Sequence, residues 1–271
     1  MPCYGWRMRR RIPLPTRAFA TAGHEVVAYA RQALLMRHDT DAPVLPAEVR
    51  DGEDVVVLLH GLFATAGVLR PLRAAIGRMV RRAMPIHTAA VSYPSTSGIA
   101  PAVEQLAEAL GALPAGARLH LCGHSLGGIV CRLYALESGD RRVIQTISLA
   151  SPFAGVPGVR FLGFAGGRDL APSSAVLRRV RLGERAHADE SGEESGEAGG
   201  ASAELPHLSI IAGADGLMRA PRAHALPGGD VRVMEGRGHS ALLFDEEVAG
   251  ILVRRVLERA AQRSERTAST A

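Results

Sequence analysis

The chain has 271 residues, of which 47% are hydrophobic, and it carries a formal net charge of +5. This length and apolar content suit a well-buried core and exclude a disordered or disulfide-stapled protein. The excess arginines are spread along predicted helical faces without interleaved aromatic residues, so no nucleic-acid partner is expected.

Two features bear on where the protein acts. No apolar run approaches the roughly 20 residues that cross a bilayer. A signal peptide would have a continuous apolar stretch after the arginine-rich residues 7–11, but prolines interrupt that segment. The odd set of cysteines, Cys3, Cys122 and Cys131, fits a reducing compartment, with Cys122 and Cys131 as inert core residues. We therefore predict a cytoplasmic protein. Residues 7–11 are interpreted as a solvated terminus, with a transient membrane-surface contact as the alternative.

Strand-like and helix-like segments alternate along the chain. The apolar run "DVVVLLHG" is typical of a strand buried on both faces of a parallel sheet. Predicted strands cover residues 54–61, 86–94, 117–123, 143–152, 208–213 and 231–236, and predicted helices cover 25–37, 68–80, 101–113, 125–137 and 246–262. This alternation predicts an α/β fold with a mostly parallel sheet that helices cover on both sides.

The pattern also predicts the domain organisation. Residues 1–50 form an N-terminal helical and linker extension in which no functional motif is visible. Residues 51–152 and 205–264 form the α/β core, and residues 153–204 form an insertion that interrupts the order of the sheet. Within it, residues 183–204 consist mostly of Gly, Ser, Ala and acidic residues, which predicts a flexible acidic loop.

The segment "CGHSLGG" (122–128) contains a G-x-S-x-G pattern where a predicted strand meets a predicted helix. A serine in such a sharp turn has strained backbone angles, and a side chain at Gly123 or Gly127 would collide across the turn. The helix N-terminus favours developing negative charge. Ser125 is therefore predicted to be a nucleophile.

A serine nucleophile needs a histidine base that a carboxylate orients. "GRGHSALLF" supplies His239 after the last predicted strand, and "IIAGADGLM" supplies Asp215 after the preceding one. Asp230 and Glu235 are the alternative carboxylates. Ser125, Asp215 and His239 all follow strand ends, where open parallel sheets place their sites.

Two backbone N–H groups are candidates for an oxyanion hole. Leu126 follows the nucleophile, and Leu62 lies in "HGLFAT" directly after the first buried strand. His60 and His124 flank these positions and are interpreted as hydrogen-bonded packing residues. The histidines lack metal-ligand spacing, so neither a metal nor another cofactor is predicted.

Five segments stand in the order typical of the α/β-hydrolase superfamily: "VVVLLHGLF", "LCGHSLGG", "ISLASPFAGVPG", "AGADGLM" and "GRGHSALLF", within residues 55–244. The chain resembles bacterial lipases and esterases of the triacylglycerol lipase type. "RDLAPSSAVLRRV" (168–180) is similar to the segment that leads into the lid of that family. The resemblance implies an α/β-hydrolase fold with a cap or lid insertion after the sixth strand.

The resemblance also implies hydrolysis of a small-molecule or lipid acyl ester through an acyl-enzyme on Ser125. The acyl pocket would lie under a cap formed by residues 153–182. Its expected substrate-binding residues are Phe63, Phe153, Phe161 and Phe164. An acyltransferase, thioesterase or peptide-bond hydrolase with the same triad is an alternative, and so is a non-catalytic binding module on the same fold.

Overall fold

The computed structural model describes residues 16–80, 85–183, 205–218 and 220–270. Residues 7–11 and nearly all of the predicted acidic loop lie outside these ranges. The strands are β1 (Asp54–Leu59), β2 (Ile86–Val91), β3 (Arg118–His124), β4 (Val143–Leu149), β5 (His207–Ala212) and β6 (Asp230–Met234). The helices are α1 (Thr16–Leu35), α2 (Arg70–Met79), α3 (Ile99–Gly111), α4 (Leu126–Glu137), α5 (Ala165–Asp169), α6 (Ala175–Leu182) and α7 (Glu246–Thr270).

The six strands form one sheet in the order β2-β1-β3-β4-β5-β6, and every neighbouring pair is parallel. The prediction of a parallel α/β sheet is confirmed. The chain passes from β1 outward to β2 and then returns to the other side of β1 to form β3. The loops after β1 and β3 therefore flank a topological switch point, where open α/β sheets form a crevice.

Apolar side chains of β1 supply both faces of the sheet. Val55, Val57 and Leu59 pack with residues of α3 and α4, whereas Val56 and Leu58 pack with residues of α2 and α7. All five side chains are fully buried. Burial of each contributes about 1.5–3 kcal/mol, which explains why the strand is a continuous apolar run.

The N-terminal helix α1 begins nine residues before the helix predicted over 25–37. It packs against a 3₁₀ turn, Ala241–Phe244, near the end of the chain. Val44 then forms an isolated antiparallel bridge with Ala90 of β2. None of the described helices is long and apolar enough to span a bilayer.

The insertion follows β4, the fourth strand, and not a sixth strand as expected. The reason is that the described residues before β1 contribute a helix and a single bridge instead of two further strands. Within the insertion, α6 packs against α4 and buries Leu177 and Val180 in the core. The described part of the insertion is thus attached to the sheet domain through its own apolar residues.

Candidate active site

Ser125 occupies a sharp turn between β3 and α4, with φ of 53° and ψ of −120°. Its N–H donates a hydrogen bond of 2.8 Å to the Leu149 carbonyl at the end of β4. A methyl group on Gly123 would overlap the backbone of Gly127, so the turn requires glycine there. A positive φ at a residue with a side chain costs about 1–3 kcal/mol and is concentrated at functional sites.

Asp215 and His239 form a hydrogen-bonded pair beyond the ends of β5 and β6. His239 Nδ1 lies 2.7 Å from Asp215 Oδ2, and the backbone N–H groups of Leu217 and Met218 donate to Oδ1 at 2.9 and 3.1 Å. Burial alone would raise the pKa of Asp215, but the hydrogen bonds from His239 and the two N–H groups outweigh it and lower that pKa. The ionised Asp215 carboxylate accepts a hydrogen bond from His239 Nδ1, so the second ring nitrogen, Nε2, is the one that can act as a base.

The two alternative carboxylates lie elsewhere. The side chain of Asp230 is 62% exposed and pairs with Arg255 on α7. Glu235 pairs with Arg222 on the surface. Of the three candidate acids, Asp215 is the one that contacts His239.

The loop after β1 approaches Ser125 closely. A methyl group on Gly61 would lie 3.0 Å from Ser125 Cβ, and Leu62 and Ser125 line the same cavity. Leu126 is the first residue of α4, and the leading N–H groups of a helix have no carbonyl partner inside it. Both predicted oxyanion-hole residues therefore lie next to the Ser125 turn.

Tyr93, which the sequence did not single out, holds this loop in place together with His60. The His60 ring donates from Nδ1 to the Gly61 carbonyl at 2.8 Å and accepts from the Tyr93 N–H at Nε2 at 3.1 Å. The Tyr93 hydroxyl donates to the His60 carbonyl at 2.6 Å, and the two rings stack with centroids 4.2 Å apart. Burial lowers the pKa of His60 to about 4, so its ring is neutral at pH 7.

His124 contacts the loop that carries His239. Its Nε2 donates to the backbone carbonyl of His239 at 3.1 Å, and the two rings lie edge to face with centroids 4.8 Å apart. Burial, and then the proximity of His239, lower the pKa of His124 to about 3. His124 is therefore a neutral packing residue, in agreement with its predicted role.

An apolar cavity of about 550 Å³ lies in front of Ser125 and His239. Phe63 lines it, as expected, and is in edge-to-face contact with Phe164 at 5.3 Å. The insertion contributes Val156, Val159 and Leu170 to its wall, and Pro152 lies directly before the insertion.

The other three phenylalanines predicted to bind substrate are not among the residues that line this cavity. Phe153 is 0% exposed and packs edge to face on His207 of β5, which makes it a core residue. Phe161 is 78% exposed on the surface of the insertion. Phe164 contacts Phe63, which lines the cavity.

The N-terminal helix supplies a wall that sequence reasoning missed. The cavity is also lined by Tyr29, Gln32 and Ala33 of α1 and by Met36, the residue that follows the helix. The helical spacing of apolar residues predicts that α1 packs against the domain. It does not predict that the helix packs beside Ser125 and His239.

The buried cysteines are not alternative nucleophiles. Burial raises the pKa of both the Cys122 and the Cys131 thiol, which keeps them protonated and unreactive. Within the described ranges, no three His, Cys, Asp or Glu side chains come together as metal ligands.

The parallel sheet, the strained serine turn at the end of β3 and the Asp–His pair beyond β5 and β6 define the α/β-hydrolase fold. The model of the palmitoyl protein thioesterase family matches residues 55–189. This match does not point to the triacylglycerol lipase type, which stays a prediction. No curated protein sequence matches the chain.

Solved structures share the fold at low identity. A structure reported for two metagenome-derived lipolytic enzymes is 13% identical, with a TM-score of 0.55 over 81% of this chain and 97% of that chain. Est1E from Butyrivibrio proteoclasticus with bound ferulic acid is also 13% identical, with a TM-score of 0.55 over 81% and 94%. Aspergillus fumigatus lipase B is 16% identical with a TM-score of 0.49 over 74% of this chain, which spans only 49% of that chain.

Proposed function

We propose that this protein is a serine hydrolase that cleaves acyl esters through a covalent acyl-enzyme on Ser125. One observation carries the proposal: Ser125 and the Asp215-bound His239 line the same apolar cavity. The positive φ of Ser125, on a turn that faces an apolar pocket, favours catalysis over a binding role, because such backbone strain is concentrated at functional sites.

The chemistry follows from the two ends of the His239 ring. Nδ1 is engaged by Asp215, so Nε2 takes the Ser125 proton as the oxygen attacks the acyl carbonyl carbon. Negative charge develops on the carbonyl oxygen, where the N–H groups of Leu62 and Leu126 would stabilise it. His239 then protonates the leaving alcohol, and water releases the acid from Ser125 by the reverse steps.

Thioester hydrolysis is a second candidate, favoured by the match to the palmitoyl protein thioesterase family. The same residues would act, with a thiol in place of the alcohol as leaving group. A palmitoyl ester and the matching palmitoyl thioester, assayed with one protein preparation, separate the two. A series of p-nitrophenyl esters from acetate to palmitate then gives the preferred acyl length.

The central test is Ser125→Ala. We expect turnover of p-nitrophenyl esters to fall by about 10³-fold or more, because acylation requires the serine oxygen. A fluorophosphonate probe should label the native protein and not the variant. Ser138→Ala, at the exposed far end of α4, is the control and should match the native enzyme. Unchanged turnover in Ser125→Ala would refute the proposed function.

A further inference from the structure

Helix α1 contacts the segment that follows His239. The Glu25 carboxylate accepts hydrogen bonds from the backbone N–H groups of Ser240 at 2.7 Å and Ala241 at 3.3 Å. The Ser240 hydroxyl donates to Gln32 Oε1 at 2.9 Å. The Gly238 backbone lies so close to the Glu25 carboxylate that a methyl group there would overlap it. Residues on both sides of His239 are therefore in contact with a single side chain of α1.

These hydrogen bonds satisfy groups that the local backbone leaves unpaired. Ser240 and Ala241 begin the 3₁₀ turn Ala241–Phe244, and the first N–H groups of such a turn have no acceptor within it. Ser240 is 1% exposed and His239 is 4% exposed, so water has little access to replace a lost acceptor. A carboxylate acceptor also gives a stronger hydrogen bond than a neutral one.

Glu25 adds a restraint on His239 that the other contacts do not provide. Asp215 holds the ring at Nδ1, and His124 holds the backbone carbonyl of His239. Glu25 holds the next two N–H groups along the chain. Together these three restraints fix the ring and the backbone that carries it.

We propose that Glu25 is a positioning residue for His239, an inference that rests on the proposed serine-hydrolase function. It acts through the backbone of Ser240 and Ala241 and does not touch the reacting atoms. Displacement of a base by about 1 Å can cost about 100-fold in rate. Loss of Glu25 therefore lowers the rate of the chemical step while the acyl pocket keeps its shape.

A role limited to docking α1 makes a different prediction. Tyr29 and Ala33 on the same helix, and Met36 directly after it, form part of the cavity wall. A displaced helix would open that wall, weaken substrate binding and raise KM. A positioning role instead lowers kcat and leaves KM nearly unchanged, so the two parameters distinguish the roles.

The experiment compares Glu25→Ala, Glu25→Gln and the control Val26→Ala, a neighbour on α1 that is mostly exposed. For each variant, kcat and KM are measured with a p-nitrophenyl ester, together with the rate constant of fluorophosphonate labelling of Ser125. In Glu25→Ala we expect kcat and the labelling rate to fall about 100-fold, with KM within about twofold. Glu25→Gln keeps one acceptor oxygen and should lose less, and Val26→Ala should behave as the native protein.

Native rates in Glu25→Ala, or a raised KM with unchanged kcat, would overturn the positioning role. If Glu25→Ala does not fold, the kcat and labelling rate of Glu25→Gln decide in the same way. A native protein that the probe does not label refutes the proposed function itself, and the role of Glu25 falls with it. Labelling of the native protein at the same rate as Glu25→Ala refutes only the inference about Glu25.

Discussion

Two buried Asp–His pairs lie at opposite ends of the sheet. Asp215 and His239 meet beyond the carboxyl ends of the strands, with 2.7 Å between Oδ2 and Nδ1. Asp54 and His120 meet at the opposite end, with 2.8 Å between Oδ1 and Nε2. β3 links the two regions, because it carries His120 near its start and leads directly into Ser125.

The pairs differ in what engages the second ring nitrogen. Gln145 donates to His120 Nδ1 at 2.8 Å, and Arg118 binds the Asp54 carboxylate with two hydrogen bonds. His120 is thus saturated on both sides and has no exposed surface. His239 instead lines a cavity with Ser125. An Asp–His pair is a catalytic candidate only where the second nitrogen is left for a substrate or a nucleophile.

The largest difference between the two Asp–His pairs is expected when the aspartate of each pair is replaced by asparagine. Asp215→Asn should lower kcat/KM by about 10³–10⁴-fold, because an amide that donates to His239 stabilises the wrong tautomer. Asp54→Asn should spare kcat/KM but cost about 3 kcal/mol of unfolding free energy, because Arg118 loses a buried charged partner. Ester kinetics and urea unfolding of both variants measure the two effects. An equal loss of activity in both would show that the two regions are not functionally distinct.

The next largest expected effect is a decrease of the free energy of unfolding at acidic pH, caused by buried histidines without a carboxylate partner. Burial lowers the pKa of His60 to about 4 and that of His124 and His207 to about 3. In the unfolded chain they titrate near pH 6.5. As the pH falls below about 6.5, these histidines bind protons in the unfolded state but not in the folded state. The free energy of unfolding therefore decreases until the pH reaches their pKa values in the folded protein.

The expected slope is up to about 1.4 kcal/mol per pH unit for each of these histidines. Urea unfolding at several pH values between 7.5 and 4.5 measures it. The pKa values of Asp54 and Asp215 are lowered in the folded protein, although burial opposes this. Protonation of these carboxylates therefore decreases the free energy of unfolding only at more acidic pH. A stability that stays constant down to pH 4.5 would contradict the neutral state assigned to His60, His124 and His207.

Tyr93→Phe should give the smallest effect. It removes the hydroxyl that donates to the His60 carbonyl behind the oxyanion loop. We expect a loss of about 1 kcal/mol in unfolding free energy and a decrease of up to about tenfold in kcat. Tyr134→Phe is the matched control, because Tyr134 donates to Asp140 at the far end of α4. It should lose stability without a change in kcat, and an equal kcat decrease in both variants would contradict the role of Tyr93.

Features that depend on neighbouring residues could be predicted from the sequence. The runs of β-branched and leucine residues predicted the strands, because burial on both faces selects such residues locally. The serine turn was predictable in part because Gly123 is required by contacts with Gly127 and Gly128, within five residues. The space at Gly127 is instead limited by the backbone of Leu59 and His60, which local sequence does not show. Asp215 and His239 were identified by their positions after strands, and the structure brings them into contact.

Features that depend on distant partners could not be predicted. Phe153 is expected in the pocket, but it is buried in the core and packs on His207, which belongs to a strand far later in the chain. The wall formed by α1 depends on the packing of this helix against the 3₁₀ turn Ala241–Phe244. Helical periodicity shows that one face of α1 is apolar, but it does not show which segment packs on that face. Arg118 likewise acquires its role only when β1 and β3 pair, and Gln145 only when β3 and β4 pair.

The hydrogen bond between Glu25 and Ser240 joins residues 215 positions apart. During synthesis the N-terminal residues leave the ribosome first, and at about 5–20 residues per second the partner follows at least about ten seconds later. Helix α1 and the sheet can form before that contact exists, whereas closure of the loop around His239 must wait for it. Contacts of such long range are also slow to form because of the entropy of closing the intervening chain. On the ribosome, α1 and strands β1–β5 therefore emerge before the segment that carries His239, and the apolar cavity in front of Ser125 is completed only after that segment has emerged.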